Sequence, residues 1–264
     1  MRGAKKGVVR MNPVVVRGVR IGEGIPKVCV PIVGRTYEEI IEQAKHIREL
    51  DVDMIEWRAD WYADVFAEEK RTAVLKELRG ILEECPILFT FRSKKEGGEQ
   101  DIAEEAYYDL NASVIESGCV DFIDVEVFSQ ASVVEKLVVV AHEKSVCVIG
   151  SNHDFYQTPA KEEMIRRFQC MQAQGADVLK IAVMPQNMED VLTLLDVTQS
   201  IEKYNIVQPV VTMSMGKAGM VSRISGEIFG SAVSFGSAGS SSAPGQVPAK
   251  QLKLILEQIH SILK

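Results

Sequence analysis

The chain has 264 residues, of which 46% are apolar and 25% are charged, and its formal net charge at pH 7 is −7. This acidic balance argues against a general affinity for nucleic acid or for acidic membrane surfaces. No segment reaches the roughly 18 apolar residues of a membrane helix, and no signal-peptide core lies near the N-terminus, so we expect a cytoplasmic protein. The five cysteines are widely spaced without a C-x-x-C pair, which predicts neither a disulfide framework nor a zinc site.

Compact apolar runs alternate along the chain with longer amphipathic segments. After a predicted hairpin at residues 14–22, eight runs follow: KVCVPIV, MIEWRAD, ILFTFR, FIDVEV, VCVIGSNHD, VLKIAVM, PVVTMSM and AVSFGSA. The segments between them have apolar residues at three- and four-residue spacing, which is typical of helices. Two of these, residues 36–50 and 187–204, begin at Thr36 and Asn187, which we predict to be N-caps.

Eight strand–helix units in about 240 residues predict an α/β fold of the (β/α)8 TIM-barrel type, as one domain spanning residues 1–264. Within it, we expect residues 1–13 to form an N-terminal extension and the hairpin at 14–22 to close the bottom of the barrel. A doubly wound open sheet is the alternative fold. It usually has a Gly-rich phosphate turn after its first strand, and the segment PIVGRTYEE is not such a turn.

One lysine interrupts the sixth apolar run. Lys180 lies within residues 178–184, a segment that otherwise reads as a strand buried on both faces of a parallel sheet. Burying an ammonium group costs several kcal/mol unless it is paired or loses its proton. With Arg58, Arg92 and Arg223 as expected neighbours, positive charge and burial favour a neutral amine that attacks a carbonyl. The alternative is a lysine whose stem packs on apolar surface while its head reaches solvent.

Other ionisable residues gather at the carboxyl ends of the predicted strands, where barrels place their functional groups. They are Glu56 and Arg58 on the second strand, Arg92 at the end of the third, Asp124 and Glu126 on the fourth, and His153 near the end of the fifth. Each alone is more often structural than functional. Together with Lys180 on the sixth strand, five consecutive strands direct such groups to one end of the barrel, which favours an active site. A histidine there suits the proton transfers of imine chemistry.

Three loops at the same end add further features. The loop MSMGKAGMVSR delivers Arg223, and GSAGSSSAPGQ supplies hydroxyls, backbone N–H groups and Gln246, which fit a phosphate or a carboxylate. The alternative for the second loop is a flexible segment without a ligand. The segment FRSKKEGGEQ is typical of a mobile lid, with Gly97 and Gly98 as hinges.

Metal-dependent hydrolysis on the same fold is a weaker hypothesis. Three of the four histidines, His46, His142 and His260, lie on helix-like segments, and the first predicted strand offers no pair of metal ligands. Imine chemistry needs only one lysine and one acid–base residue. We therefore predict neither a metal nor a cofactor.

Seven pieces of the sequence, taken together and in order, resemble one enzyme family. They are EWRAD, FTFRSKKEGGE, SNHDF, LKIAVMP, TMSMG, SRISGEIFGS and SSAPGQ. From about Lys27 to the C-terminal helix, the chain is similar to the type I 3-dehydroquinate dehydratases, the Schiff-base lyases of the shikimate pathway. This resemblance implies 3-dehydroquinate as the substrate, no nucleic-acid or membrane partner, and a homodimer.

The resemblance also implies a role for each matching residue. Lys180 would form an imine with the C3 ketone, and His153 would take a proton from C2 and return it to the departing C1 hydroxyl, a syn elimination of water. Glu96 would orient and tune His153. The implied substrate-binding residues are Glu56, Arg58 and Arg92 for the hydroxyls, Arg223, Ser242 and Gln246 for the carboxylate, and Met213 beside the imine.

Two other functions stay open on the residues alone. A class I aldolase shares the barrel, the Schiff base and an anion-binding loop, but it prefers a phosphate, and the seven-piece match argues against it. A degenerate barrel that serves as a binding or scaffold protein would give no covalent adduct with a keto substrate and borohydride. The sequence also leaves open whether the enzyme serves aromatic biosynthesis or quinate breakdown.

Overall fold

The computed structural model describes residues 12–239 and 243–264, and most of the predicted N-terminal extension lies outside them. Its strands are β1 (Val14–Val16), β2 (Val19–Ile21), β3 (Lys27–Ile32), β4 (Met54–Arg58), β5 (Ile87–Thr90), β6 (Phe122–Glu126), β7 (Cys147–Asp154), β8 (Val178–Val183), β9 (Val210–Ser214), β10 (Val233–Ser237) and β11 (Val247–Pro248). All eight strands predicted after the hairpin are confirmed as β3 to β10. The third predicted strand, β5, is shorter than predicted: it ends at Thr90, and Arg92 lies in the loop beyond it.

Helices follow the strands on the outside of the sheet. They are α1 (Tyr37–Arg48), α2 (Glu68–Leu82), α3 (Glu104–Glu116), α4 (Val134–Glu143), α5 (Lys161–Ala173), α6 (Met188–Ser200), α7 (Met220–Ile224), α8 (Gly226–Phe229) and α9 (Ala249–Leu263). Short 3-10 helices cover Ala59–Trp61, Lys94–Glu96 and Ile201–Tyr204. Among the described residues, no helix combines the length and the apolar character needed to cross a membrane.

Strands β3 to β9 pair in sequence order, each parallel to the next, and β10 pairs with β3. The remaining seam lies between β9 and the start of β10, where the amide of Ala232 donates to the carbonyl oxygen of Val210 at 2.8 Å. The sheet thus curls until its two ends meet. The predicted α/β fold of the TIM-barrel type is confirmed, and the doubly wound open sheet is not what the chain forms.

The hairpin β1–β2 lies against the amino ends of the barrel strands. An apolar layer fills the barrel there, and its members from the strands include Cys29, Met54, Leu88, Phe122, Ile149 and Val178. Ile21 is buried in the same layer, and Val14, Val16 and Val19 pack on it. Burial of this apolar surface favours the closed arrangement, so the hairpin closes the bottom of the barrel as predicted.

Both predicted N-caps are confirmed. The side chain of Thr36 accepts a hydrogen bond from the amide of Glu39 at 3.2 Å, and that of Asn187 accepts one from Asp190 at 3.0 Å. Each satisfies an amide that the first helical turn leaves without a partner, which is worth about 1 kcal/mol. These caps fix where α1 and α6 begin.

Candidate active site

Strand alternation decides which residues of β8 face the barrel interior. Leu179, Ile181 and Val183 belong to the apolar cluster between the sheet and the helices. Their neighbours Lys180 and Ala182 line a cavity at the carboxyl end of the barrel. In a strand, successive side chains point to opposite faces, so the lysine is directed inward by its position alone.

The same cavity brings together the residues that the sequence singled out. Its lining includes Glu56, Arg58, Arg92, Glu96, His153, Lys180, Met213, Arg223 and Gln246. The remaining predicted residue, Ser242, lies outside the described residues. Side chains from six different strands or their following loops therefore meet at one site.

Lys180 is only 4% exposed, and its amine is paired. Its Nζ lies 3.0 Å from Asp124 Oδ2 and 3.8 Å from Glu56 Oε1, and 4.6 Å from the centre of the Phe235 ring. The neutral amine was predicted from the neighbouring arginines, whereas two carboxylates also lie beside Lys180. The head of Lys180 does not reach solvent, and carboxylate pairing offsets the cost of burying it.

Asp124 joins Lys180 to Arg92. Its Oδ1 is 2.7 Å from Arg92 Nη2 and accepts a hydrogen bond from Ser151 at 2.5 Å. Burial would raise the pKa of Asp124, but the charges of Arg92 and Lys180 hold it below its usual range. Asp124 is therefore an anion fixed between two cations under the floor of the cavity.

Glu96 holds His153 through two contacts. Its Oε2 accepts a hydrogen bond from the His153 amide at 2.9 Å and lies 3.0 Å from His153 Nδ1. Ser129 donates to Oε1 at 2.6 Å, and Asn152 donates to the same oxygen at 3.3 Å. An ionised Glu96 accepts only, so this contact places the histidine proton on Nδ1 and leaves the lone pair on Nε2.

The environment shifts the proton affinity of both partners. Burial, followed by the positive charges of Arg92 and Lys180, lowers the pKa of His153 well below its ordinary value. Burial and the nearby charge of Glu126 raise the pKa of Glu96 to about 7. At neutral pH the imidazole is consequently neutral and able to act as a general base.

Arg58 is fixed by a carboxylate to which the sequence analysis gave no role. Its Nε and Nη2 lie 2.9 and 3.0 Å from the two oxygens of Asp60, which is fully buried. Asp60 also accepts hydrogen bonds from the amides of Arg92 at 3.3 Å and Glu99 at 3.2 Å. Such two-point pairing sets the orientation of the guanidinium group at the cavity wall.

The glycines of the expected lid have a packing role. A Cβ on Gly97 would lie 2.3 Å from the Phe155 ring, and one on Gly98 would lie 1.8 Å from the carbonyl oxygen of Arg92. The amide of Gly98 also donates to the carbonyl oxygen of Ser93 at 2.9 Å. Close packing accounts for both glycines, and their role as hinges of a lid stays a prediction.

Arg223 differs from the other two arginines in its partners. It is only 2% exposed; Nη2 donates to the Pro244 carbonyl oxygen at 3.0 Å, and Nη1 lies 3.9 Å from Met213 Sδ. Within residues 12–239 and 243–264 it pairs with no carboxylate, and its buried Nε has no hydrogen-bond partner. Burial lowers its pKa to about 10, so it stays charged at neutral pH. A buried cation without an acidic partner is suited to an anionic ligand.

Within residues 12–239 and 243–264, no group of three or more His, Cys, Asp or Glu side chains is arranged to hold a metal ion. The buried carboxylates of the site are instead paired with arginine and lysine, as described above for Asp60 and Asp124.

Comparison with known proteins identifies the family. A sequence model described as type I 3-dehydroquinase matches residues 28–262. The chain belongs to this family. The resemblance inferred from the seven sequence pieces is thus confirmed, because all seven lie within the matched residues.

Relatives within the type I 3-dehydroquinase family match the chain along almost its full length. The 3-dehydroquinate dehydratase of Listeria innocua is 49% identical over 251 residues, which cover 95% of this chain and 99% of the relative. That of Clostridium novyi is 49% identical over 253 residues, covering 96% and 100%. The matched regions therefore extend over almost the whole chain and not only over the site.

Solved structures of the family share the fold. The type I 3-dehydroquinate dehydratase of Clostridium difficile, solved with covalently modified comenic acid, superposes with a TM-score of 0.93 at 47% identity, covering 96% of this chain and 99% of that one. The enzyme from Geobacillus kaustophilus gives 0.93 at 33% identity, covering 97% and 99%.

The apolar wall of the cavity was not predicted from the sequence. The cavity is also lined by Phe155, Ala182, Met215 and Phe235. Apolar residues on buried strands carry no chemical signal of their own, because the same residue types fill any core. The available signal was alternation: Ala182 follows Lys180 by two positions on β8 and so shares its face.

Proposed function

We propose that the chain is an enzyme, a 3-dehydroquinate dehydratase that works through a Schiff base on Lys180. The observation that supports this most is the placement of a buried lysine amine and a neutral, carboxylate-held histidine in one cavity. Relatives of 49% identity are 3-dehydroquinate dehydratases. The reaction belongs to the shikimate pathway.

The first step forms the imine. The Lys180 ammonium first releases a proton to solvent, and its amine then adds to the C3 ketone of the substrate. A proton is taken up again as water leaves, which gives a protonated C=N bond. Asp124 and Glu56, at 3.0 and 3.8 Å from Nζ, balance the positive charge of this iminium. The iminium withdraws electrons from the neighbouring carbon and so makes its C–H bond acidic.

The second step eliminates water. His153 Nε2 takes the proton from C2, and the electron pair of that C–H bond moves toward the iminium to give an enamine. The electrons then return, the bond from C1 to its hydroxyl breaks, and His153 protonates the leaving oxygen. Because one residue handles both the proton and the hydroxyl, both leave from the same face. Hydrolysis of the imine releases 3-dehydroshikimate and restores Lys180.

Binding of the substrate is assigned to the remaining residues. Arg223, Ser242 and Gln246 would hold the carboxylate, while Glu56, Arg58 and Arg92 would contact the hydroxyls and Met213 would pack beside the imine. We also propose a single barrel domain and a cytoplasmic location, as the sequence predicts, and a homodimer, as the family resemblance implies.

Borohydride trapping tests the proposed function. We expect the protein incubated with 3-dehydroquinate and sodium borohydride to gain the mass of one reduced substrate adduct, located by peptide mapping on the peptide with Lys180. Borohydride without the substrate serves as the control and should leave the mass of the protein unchanged. A folded protein that turns over no substrate and gives no adduct would show that the barrel has another role.

Replacing Arg223 by alanine should weaken substrate binding. The variant loses charged hydrogen bonds worth about 1.5–3 kcal/mol each, so we expect KM to rise roughly 10- to 100-fold while imine trapping at saturating substrate persists. Steady-state kinetics measure this. The control is Arg166→Ala, which removes an exposed arginine on α5 and should leave KM unchanged. An unaltered KM in Arg223→Ala would remove this residue from the carboxylate site.

A further inference from the structure

Glu126, the last residue of β6, does not line the cavity, yet its carboxylate is fully buried. Oε1 accepts hydrogen bonds from the Ser93 amide at 2.7 Å and from Arg92 Nη1 at 3.0 Å. Oε2 accepts one from the Ser93 hydroxyl at 2.6 Å. Burying a carboxylate is costly unless its oxygens are bonded in this way, so Glu126 binds the start of the segment after β5 firmly.

Ser93 in turn fixes the backbone of Glu96. Ser93 precedes the 3-10 helix Lys94–Glu96, and its carbonyl oxygen accepts a hydrogen bond from the Glu96 amide at 3.0 Å. Glu96 then contacts His153 Nδ1 at 3.0 Å. A continuous chain of hydrogen bonds therefore leads from Glu126 through Ser93 and Glu96 to the histidine.

The strands need this side-chain link because their own pairing ends early. β5 and β6 pair only at Leu88 with Phe122 and at Phe89 with Ile123. Farther along β6, the hydroxyl of Tyr107 donates to the Asp124 carbonyl oxygen at 3.1 Å and accepts from the Glu126 amide at 3.2 Å. Tyr107 thus satisfies the backbone of β6, while the bonds from Arg92 and Ser93 to Glu126 link β6 to the segment after β5.

We propose that Glu126 is a positioning residue for the dehydration: it fixes Ser93 and, through Ser93, holds Glu96 against His153. It acts through these residues and does not touch the substrate. This inference rests on the proposed function and assigns a role in it to a residue behind the cavity wall.

The charge of Glu126 has a second effect, on the proton affinity of Glu96. Burial, and to a smaller extent the negative charge of Glu126, raise the pKa of Glu96 to about 7, whereas the positive charge of Arg92 lowers it. The charged or titratable groups that surround the two carboxylates are Arg92 beyond β5, Tyr107 on α3, Asp124 on β6 and His153 on β7. Ionised Glu96 accepts the Nδ1 proton more strongly than the protonated acid does, so kcat should fall as the pH drops through about 7, and loss of the negative neighbour should move this fall to lower pH.

Two substitutions of Glu126 separate position from charge. Glu126→Ala removes both, and we expect kcat to fall roughly 10- to 100-fold with little change in KM, because a small misplacement of a catalytic group has a cost of that size. Glu126→Gln keeps an acceptor for Ser93 and Arg92, so it should recover most of kcat while the acid limb of the kcat profile moves to lower pH. In a Glu96→Gln background the titrating carboxyl group is absent, so adding Glu126→Gln should not move the acid limb of the kcat profile any further.

Further variants complete the test. If Glu126→Ala does not fold, Ser93→Ala removes one bond of the same link and should lower kcat several-fold with little change in KM. Glu143→Gln, an exposed carboxylate at the end of α4, is the charge-loss control and should leave both kcat and the pH profile unchanged.

Borohydride trapping of each variant separates this inference from the proposed function. Wild type and folded variants should all form the Lys180 adduct. If wild type forms none, the proposed function itself is wrong. If wild type forms the adduct but Glu126→Ala, or Ser93→Ala in its place, keeps wild-type kcat, or raises KM instead, the positioning role is overturned and the proposed function stands.

Discussion

Replacing Lys180 by methionine should abolish dehydration, with kcat reduced by roughly 10⁵-fold or more, the scale seen when a covalent nucleophile is removed. Without the amine no iminium forms, and the C2 proton is then acidified only by an unmodified ketone. Methionine fills nearly the volume of the lysine stem, so packing beside Phe235 is kept. The measurement is steady-state formation of the conjugated product, together with borohydride trapping, which should give no adduct.

The variant should remain folded, which makes the result interpretable. Asp124 loses Lys180 as a partner but keeps Arg92 at 2.7 Å and Ser151 at 2.5 Å, so no bare charge is left buried. The control is Lys161→Met, which breaks a lysine ion pair with Asp196 on the outer helices and should keep wild-type activity. Near wild-type activity in Lys180→Met would contradict the Schiff-base mechanism.

The barrel could be predicted from the sequence because its signals are local. Each strand is a short apolar run with turn residues at its ends, and each helix has its own periodicity, as for the segment that Thr36 caps. The order of strands then follows from the repetition of one unit, with no long-range pairing to guess. The end of β5 was predicted two residues late, because Phe91 prolongs the apolar run up to Arg92 although the ladder has already stopped.

The site was predictable as a set of residues and less so as a set of contacts. Strand alternation and the carboxyl-end rule place Glu56, His153 and Lys180 together. Which charge pairs with which depends on side-chain positions across strands, and the sequence cannot give these distances. The sequence therefore predicted arginines as the neighbours of Lys180, whereas in the structure its ion-pair partner is Asp124.

The same limit explains the residues that support the site from behind. Asp60 and Glu126 were visible in the sequence as acids near strand ends, but each acts by bonding to a segment far along the chain. Asp60 lies 39 residues from Glu99, and Glu126 lies 33 residues from Ser93. Supporting roles of this kind follow from the folded arrangement, since no spacing rule relates a strand end to the loop of its neighbour.

Replacing His153 by alanine should separate imine formation from elimination. We expect kcat to fall roughly 10²- to 10⁴-fold, the usual contribution of a positioned general acid–base, while the imine on Lys180 still forms. Glu96 keeps its hydrogen bonds from Ser129 and Asn152, so the wall of the cavity should persist. Borohydride should therefore trap the substrate adduct in this variant, and mass spectrometry should find it on the Lys180 peptide.

Chemical rescue makes the assignment specific to the imidazole. Free imidazole fits the space that alanine leaves and should restore part of the activity of His153→Ala, with no effect on Lys180→Met. The control His142→Ala removes an exposed histidine that pairs with Asp177 and should be fully active. Loss of the adduct in folded His153→Ala would mean that the histidine is needed to form the imine. Its main role would then precede proton transfer at C2, and the order of steps proposed above would have to change.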